Sequence, residues 1–302
     1  MPDASGQCGC AIDDDYPLVG VCAVNCNTTC DGSLMGNGVE ARRFGIPTFQ
    51  LAVPIRHMQQ SVQEYGAEEI ANCIRFIEEQ TGETFDWDHY FQCMETFNEE
   101  TKLFREWLDL SKTNRPQVIG NNVALYRDAY HQVEEEETPA FWKMTRKITE
   151  LAYEGYEKKV SCVSEVRHRA VLWASRRNII RHFDLASELL GILPLIDMLS
   201  LTSTELYSTT DRQQALYDMA DLYMKMNMRN RSNGGYEVGV MTCGASVRNF
   251  HADMVICEHI GCKAMAGYHG IFEEQARERP SSDLVPMADG SKEQAARTCG
   301  TR

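Results

Sequence analysis

Two apolar runs of strand length, LVGVCAVN (residues 18–25) and FGIPTFQLAVP (44–54), bracket a segment just long enough for one short helix. Continuous runs of this kind, without polar alternation, fit strands buried on both faces of a parallel sheet. Parallel neighbours need a crossover connection, and SLMGNGVEARRFG supplies one, so residues 1–58 read as a partial α/β lobe built on a βαβ unit. Between the first run and that helix lies CNTTCDG, in which Cys30 follows two threonines and precedes Asp31-Gly32. A cysteine serving only as a small core hydrophobe belongs inside an apolar run. Cys30 stands in the polar turn after one, and that position asks for a chemical reason.

From Gln59 the texture turns helical. Val62, Tyr65, Ile70, Cys73, Ile74 and Ile77 recur at three- and four-residue spacings, Glu64, Glu68, Glu69, Glu78 and Glu79 lie largely opposite, and Thr81-Gly82 ends the pattern. A second helix carries Tyr90, Met94, Phe97, Phe104 and Leu108 along one side until Asn114, Pro116 and Gly120 break it. The run EEEE at 134–137 reads as a solvated connection, and helix is expected again from Ala140 to about Leu190. Beyond Gly191, the apolar GILPLIDMLSL, an amphipathic helix in DRQQALYDMADLYMKMNM, a break at Gly234-Gly235 and a short buried strand in DMVIC (253–257) restore α/β character. The last stretch, RPSSDLVPMADGSKEQAARTCGTR, lacks the apolar pattern of a sheet strand. The expected fold class is α/β, with the partial lobe at 1–58, a mainly helical region at 59–190 and a shortened α/β lobe at 191–302.

The net charge of −14 leaves no clustered basic face for phosphates, so no nucleic-acid partner is expected. No apolar stretch approaches the ~20 residues of a membrane span. The acidic start MPDASGQCGCAIDDD has no apolar core of a signal peptide, so no membrane partner and a cytoplasmic location are expected. In that reducing setting the 12 cysteines read as metal ligands, reactive thiols or buried small hydrophobes.

Position separates these roles. Cys262 has a setting like that of Cys30: it lies a few residues past DMVIC, in the turn EHIGCKAMAG before a helix. Open α/β sheets bind ligands outside the carboxyl ends of their strands, so the two cysteines could converge on one metal or cluster site. Gly32 and Gly261 allow close approach of backbone N–H groups, and Lys263 brings positive charge near a thiolate. Glu258-His259 is a candidate pair for proton transfer or substrate hydrogen bonding, with a solvated strand end as the plainer reading. His57 fits the first turn of a helix or a substrate contact, and Thr29 and Asp31 fit roles in satisfying the backbone of the turn. Cys22, Cys26 and Cys30 read C-x3-C-x3-C, which matches neither the C-x3-C-x2-C of radical-SAM loops nor the paired C-x2-C knuckles of zinc sites. Cys22 is expected in the core. Cys73, Cys93, Cys243 and Cys257 read as packing, with Cys257 close enough in sequence to stand behind Cys262. The 14 methionines fit adaptable core, and no GxGxxG, Walker A or GxSxG loop is present.

Four collinear segments, NTTCDGSLMGNG, FGIPTFQLAVPIR, FNEETKLFREW and VICEHIGCKAMAG, resemble the 2-hydroxyacyl-CoA dehydratase family. This is the D-component superfamily that also holds the subunits of ATP-dependent benzoyl-CoA reductases. The similarity runs from about Pro17 to about Ala276 and is closest in texture to the α-type subunits of 2-hydroxyglutaryl-CoA and lactoyl-CoA dehydratases. The resemblance implies Rossmann-like parallel-sheet lobes with helices and one [4Fe–4S] cluster on three cysteines, with Cys30 and Cys262 matching two of the ligands. Thiolate ligation accounts for a cysteine in a turn, because its sulfur must face iron rather than packed core. The implied reaction removes water from an (R)-2-hydroxyacyl-CoA thioester to give a 2-enoyl-CoA through a ketyl radical. One electron from an ATP-dependent iron–sulfur activator protein starts it, and a related second subunit completes a heterodimer. The chain departs from the family pattern at both ends, which are expected to be shortened. The family's first cluster cysteine belongs to an upstream segment, and Cys8 and Cys10 are the candidates for its role here. Within the superfamily a benzoyl-CoA-reductase-type subunit is the close alternative, and the departures keep a further reading open, a non-catalytic partner subunit without a complete cluster.

Overall fold

A computed structural model of the chain describes residues 20–26, 31–52, 59–117, 138–160, 165–173, 190–200, 203–225, 236–257, 270 and 287–288. In chain order its elements are β1 (Ala23–Cys26), α1 (Asp31–Phe44), β2 (Thr48–Leu51), α2 (Gln60–Thr81), α3 (Trp87–Lys112), α4 (Thr138–Glu157), β3 (His168–Trp173), β4 (Ile192–Asp197), a 3-10 turn (Met198–Ser200), α5 (Arg212–Met224), α6 (Tyr236–Asn249), β5 (Met254–Cys257) and β6 (Met287–Ala288). The class is α/β, with parallel sheets, as the apolar runs and the resemblance lead one to expect. The chain forms two compact units, one of Met1–Glu95 with Tyr207–Gly235 and one of Thr96–Leu206 with Tyr236–Arg302. Each unit therefore draws on two separated stretches, whereas the boundaries at 58/59 and 190/191 mark changes of texture along the chain.

In the first unit β1 and β2 pair in parallel from Ala23↔Thr48 to Cys26↔Leu51, and α1 is the crossover between them. Leu51 of β2 packs with Ile70 and Cys73 of α2 and Ala220 and Met224 of α5, and Cys26 and Phe49 close this core. Gly82 stops α2 by taking the left-handed conformation, φ 76°, with its N–H on the Glu78 carbonyl. Asp211 starts α5, its carboxylate accepting from the backbone N–H groups of Gln213 and Gln214. The structure corrects the expectation that the first apolar run is buried on both faces. Val21 is 69% exposed and Val24 39%, and Cys22 is half-buried rather than a core residue. Among the described residues this sheet has only two strands, so it offers the α2–α5 layer a narrow face on which Phe49, Leu51 and Cys26 suffice.

Burial on both faces belongs instead to the second unit, whose sheet has the order β4-β3-β5-β6 with every pairing parallel. Ala170 and Leu172 of β3 join Ile192, Met254 and Ile256 on one face. Val171 joins Leu193, Leu195, Ile196 and Phe250 on the other. Strand β3 arises from HRAVLW, where helix was expected to continue to about Leu190, and α4 ends at Glu157. A six-residue apolar segment buried on both faces shows no alternation, and periodicity cannot distinguish it from buried helix. On β4 the register shifts between Ala170↔Pro194 and Val171↔Ile196, leaving Leu195 as the extra residue of a bulge. Pro194 is tolerated there because, among the described residues, β4 is an edge strand. Gly191, at φ +66°, turns the chain into β4, and a Cβ at this position would come within 2.9 Å of the Arg167 side chain. Arg169 ties β3 to the end of α6, its guanidinium donating to the carbonyls of Phe250 and His251. The final stretch, read as lacking a strand, contributes Met287–Ala288 beside β5. Two paired residues on an edge are too few to leave a pattern in sequence. The EEEE run lies outside the described residues.

On the helical side of this unit Phe104, Trp107 and Leu110 of α3 pack with Ala152 of α4, flanked by Ile148 and Tyr156. One turn before Phe104, Glu100 is 1% exposed, and its Oε2 has no hydrogen-bond partner among the described residues. Burial pushes its carboxyl up to about 7. An acid held above its unfolded value lowers stability as pH rises from about 4.5 to about 7, because the unfolded chain releases the proton first. Glu100→Gln is expected to remove this slope. Urea unfolding should find the variant more stable than wild type by on the order of 1–3 kcal/mol at pH 8 and indistinguishable near pH 4. Parallel pH profiles for the two proteins would contradict the assignment.

Candidate functional site

Strands β3 and β5 are neighbours in register from Ala170↔Met254 to Trp173↔Cys257, so they end side by side at the same level. The next strand in sequence after β3, which is β4, lies on one side of β3, and β5 lies on the other. The strand order thus reverses at the β3–β5 pair. Such a switch point is where open α/β sheets take their ligands, outside the carboxyl ends of the strands. The segment that leaves β5 at this level carries Glu258, His259 and Cys262. In the first unit β1 ends at Cys26 and α1 begins at Asp31, so four residues separate them and Cys30 is the last of the four. Cys30, Cys262, Glu258 and His259 themselves lie outside the described residues, as do Cys8, Cys10, Thr29 and His57. The structure defines the strand ends from which their segments set out.

Polar side chains buried at those strand ends fall into two kinds. Asp197, at the end of β4, accepts hydrogen bonds from the Ser200 backbone N–H and hydroxyl, both at 2.8 Å, and so closes the 3-10 turn that follows. Its role is to satisfy the chain where the strand stops. Asn25, third residue of β1, is 4% exposed, and its Nδ2 has no partner among the described residues. Strand alternation turns it to the face opposite Cys26, away from the α2–α5 core. Neither residue was singled out from sequence. The signal available was a polar residue near the carboxyl end of an otherwise apolar run, in AVNC and PLID.

Of the described cysteines, Cys73, Cys243 and Cys257 are buried and behave as packing. Cys22, Cys26, Cys73, Cys93, Cys243 and Cys257 are not disulfide-bonded. Burial, then the charges of Glu69 and Cys22, push the Cys73 thiol up, so it stays protonated inside its hydrophobic cluster. Cys243 and Cys257 are buried, as their positions in apolar segments suggested. Cys93 lies 3.6 Å from His89 Nε2 on the same helix. Among the described residues no group of three or more His, Cys, Asp or Glu is placed to hold a metal. Likewise, no described helix is long and apolar enough to cross a membrane. Native-state alkylation followed by mass spectrometry is expected to spare Cys73, Cys243 and Cys257 and to modify them only in denaturant. Rapid native labelling of any of the three would contradict their burial.

With this framework in place, the chain matches the family model of 2-hydroxyglutaryl-CoA dehydratase, D-component, over residues 5–294. The match takes in both compact units and all four segments that carry the resemblance. The chain belongs to this family of dehydratase components. No curated protein matches it.

Proposed function

We propose that the chain is the iron–sulfur subunit of a 2-hydroxyacyl-CoA dehydratase, removing water from an (R)-2-hydroxyacyl-CoA to give a 2-enoyl-CoA through a ketyl radical. The observation that carries this reading is the family match over 5–294, which includes both strand-to-turn segments bearing Cys30 and Cys262. In this reading the two cysteines are ligands of one [4Fe–4S] cluster. The amide nitrogen of Asn25, buried near the end of β1 and without a partner among the described residues, fits a group that accepts hydrogen bonds. When bound, the cluster supplies one-electron reduction of the thioester and a Lewis-acidic iron.

The chain's own residues have three tasks. Cys30 and Cys262 must be held as thiolates, and Lys263 favours that state beside Cys262. The proton at the β-carbon, hardly acidic in the starting thioester, must be accepted once the neighbouring centre is a radical, and the departing hydroxyl must gain one. Glu258 and His259, the first two residues beyond β5, are the pair assigned to hold and move these protons. The partners in this reading are a related second subunit, an ATP-dependent iron–sulfur activator protein and the CoA thioester itself, in the cytoplasm.

Anaerobic assay with activator, ATP, the partner subunit and a series of (R)-2-hydroxyacyl-CoA thioesters tests the proposal. The expected result is 2-enoyl-CoA in large excess over electrons delivered, with Glu258→Gln and His259→Ala each slower by about 100-fold or more. Electrons consumed in step with product would point to reductase chemistry. A cluster-loaded protein that forms no product from any of the thioesters would point to the non-catalytic reading.

A further inference from the structure

We propose that His89 and Cys93 form a two-ligand site for a zinc-class cation, held between the imidazole Nε2 and the Cys93 sulfur. The site is separate from the dehydratase reading, which stands or falls without it. Both residues belong to α3 (Trp87–Lys112). Their spacing of i and i+4 sets them one turn apart on a single face of the helix. The two side chains already meet, with Sγ 3.6 Å from Nε2. Each residue is half-buried, so the pair is within reach of solvent and partly shielded from it.

That separation has a chemical meaning. Zinc binds thiolate sulfur at about 2.3 Å and imidazole nitrogen at about 2.0–2.1 Å, in tetrahedral geometry. Two such bonds at the tetrahedral angle place sulfur and nitrogen roughly 3.5–3.6 Å apart. The pair therefore has the bite of a zinc chelate as it stands, and little side-chain freedom is left to lose on binding. Two ligands at i and i+4 on one helix face are also the arrangement that helical zinc motifs use. Thiolate with imidazole favours zinc-like ions over magnesium or calcium, which take oxygen ligands. Asp86 adds favourable charge: its carboxylate accepts from the His89 backbone N–H at 2.9 Å, which keeps a negative group beside the first turn of α3. On binding, the thiol proton leaves to solvent and the sulfur becomes the ligand. Two protein ligands leave water in the other positions, so occupancy is reversible and the helix folds without the ion.

The test follows alkylation of the full chain by iodoacetamide, read at Cys93 by peptide mass spectrometry, with and without zinc. A metal buffer holds free Zn2+ at a micromolar level, so zinc taken up by other groups of the chain does not change the concentration that Cys93 meets. The expected result is that zinc slows labelling of Cys93 by about tenfold in wild type and leaves it unchanged in His89→Ala. Should alanine prevent folding, His89→Gln takes its place, since glutamine keeps a polar side chain but is a poor zinc ligand. No protection of Cys93 in the wild type overturns the proposal, and the contact is then a hydrogen bond alone. Equal protection in wild type and the His89 variant also overturns it, because the sulfur then binds without the imidazole. A Cys93 that resists labelling even without zinc overturns the access the site needs. None of these outcomes touches the dehydratase reading.

Discussion

The parallel pairing of β3 with β5 is the constraint on which the second unit depends. It brings together residues more than eighty positions apart, Trp173 and Cys257, and fixes their strands to end level with one another. Because β4 lies on one side of β3 and β5 on the other, the chain must leave the sheet in opposite directions there. Residues buried on both faces make the register hard to slip. Val171 belongs to one core and Ala170 and Leu172 to another, so a shift of one residue would exchange the two sets. Residues that follow β5, including the segment of Cys262, inherit their starting point from this register.

The buried polar groups divide by whether the fold itself satisfies them. Asp197 and Ser200 answer each other, and the half-buried Arg169 meets the carbonyls that end α6. These are local solutions to the problem of stopping a strand or a helix. Glu100 and Asn25 are different, since each keeps a buried atom without a partner among the described residues. For Glu100 the consequence is protonic, because a carboxyl can become neutral. An amide has no such recourse, and Asn25 keeps its donor buried without an acceptor among the described residues.

Much of the fold was legible in the chain, and the losses have particular causes. The βαβ unit at the start, the stop of α2 at Gly82, the amphipathic α5 and the strand in DMVIC all follow from length, period and capping residues. HRAVLW was missed because a strand covered on both faces carries no alternation. Val24 misled in the opposite sense: an apolar residue in an apolar run reads as buried, yet it is exposed on a two-stranded sheet. The proposed site was read in another way. Cys30 and Cys262 stood out because each breaks the habit of buried cysteine by following, rather than occupying, an apolar run. Asn25 did not stand out, because one polar residue in a strand gains meaning only when its hydrogen bonds can be counted.

The central claim is that Cys30 and Cys262 serve one cluster, and metal content tests it most directly. Iron and acid-labile sulfide should be measured per chain after anaerobic reconstitution of wild type, Cys30→Ser and Cys262→Ser, with Cys73→Ser as a control for loss of a packing thiol. The account predicts about four irons per wild-type chain, retained in the control and lost from both Cys30→Ser and Cys262→Ser. Full iron content in either of those two variants would contradict it.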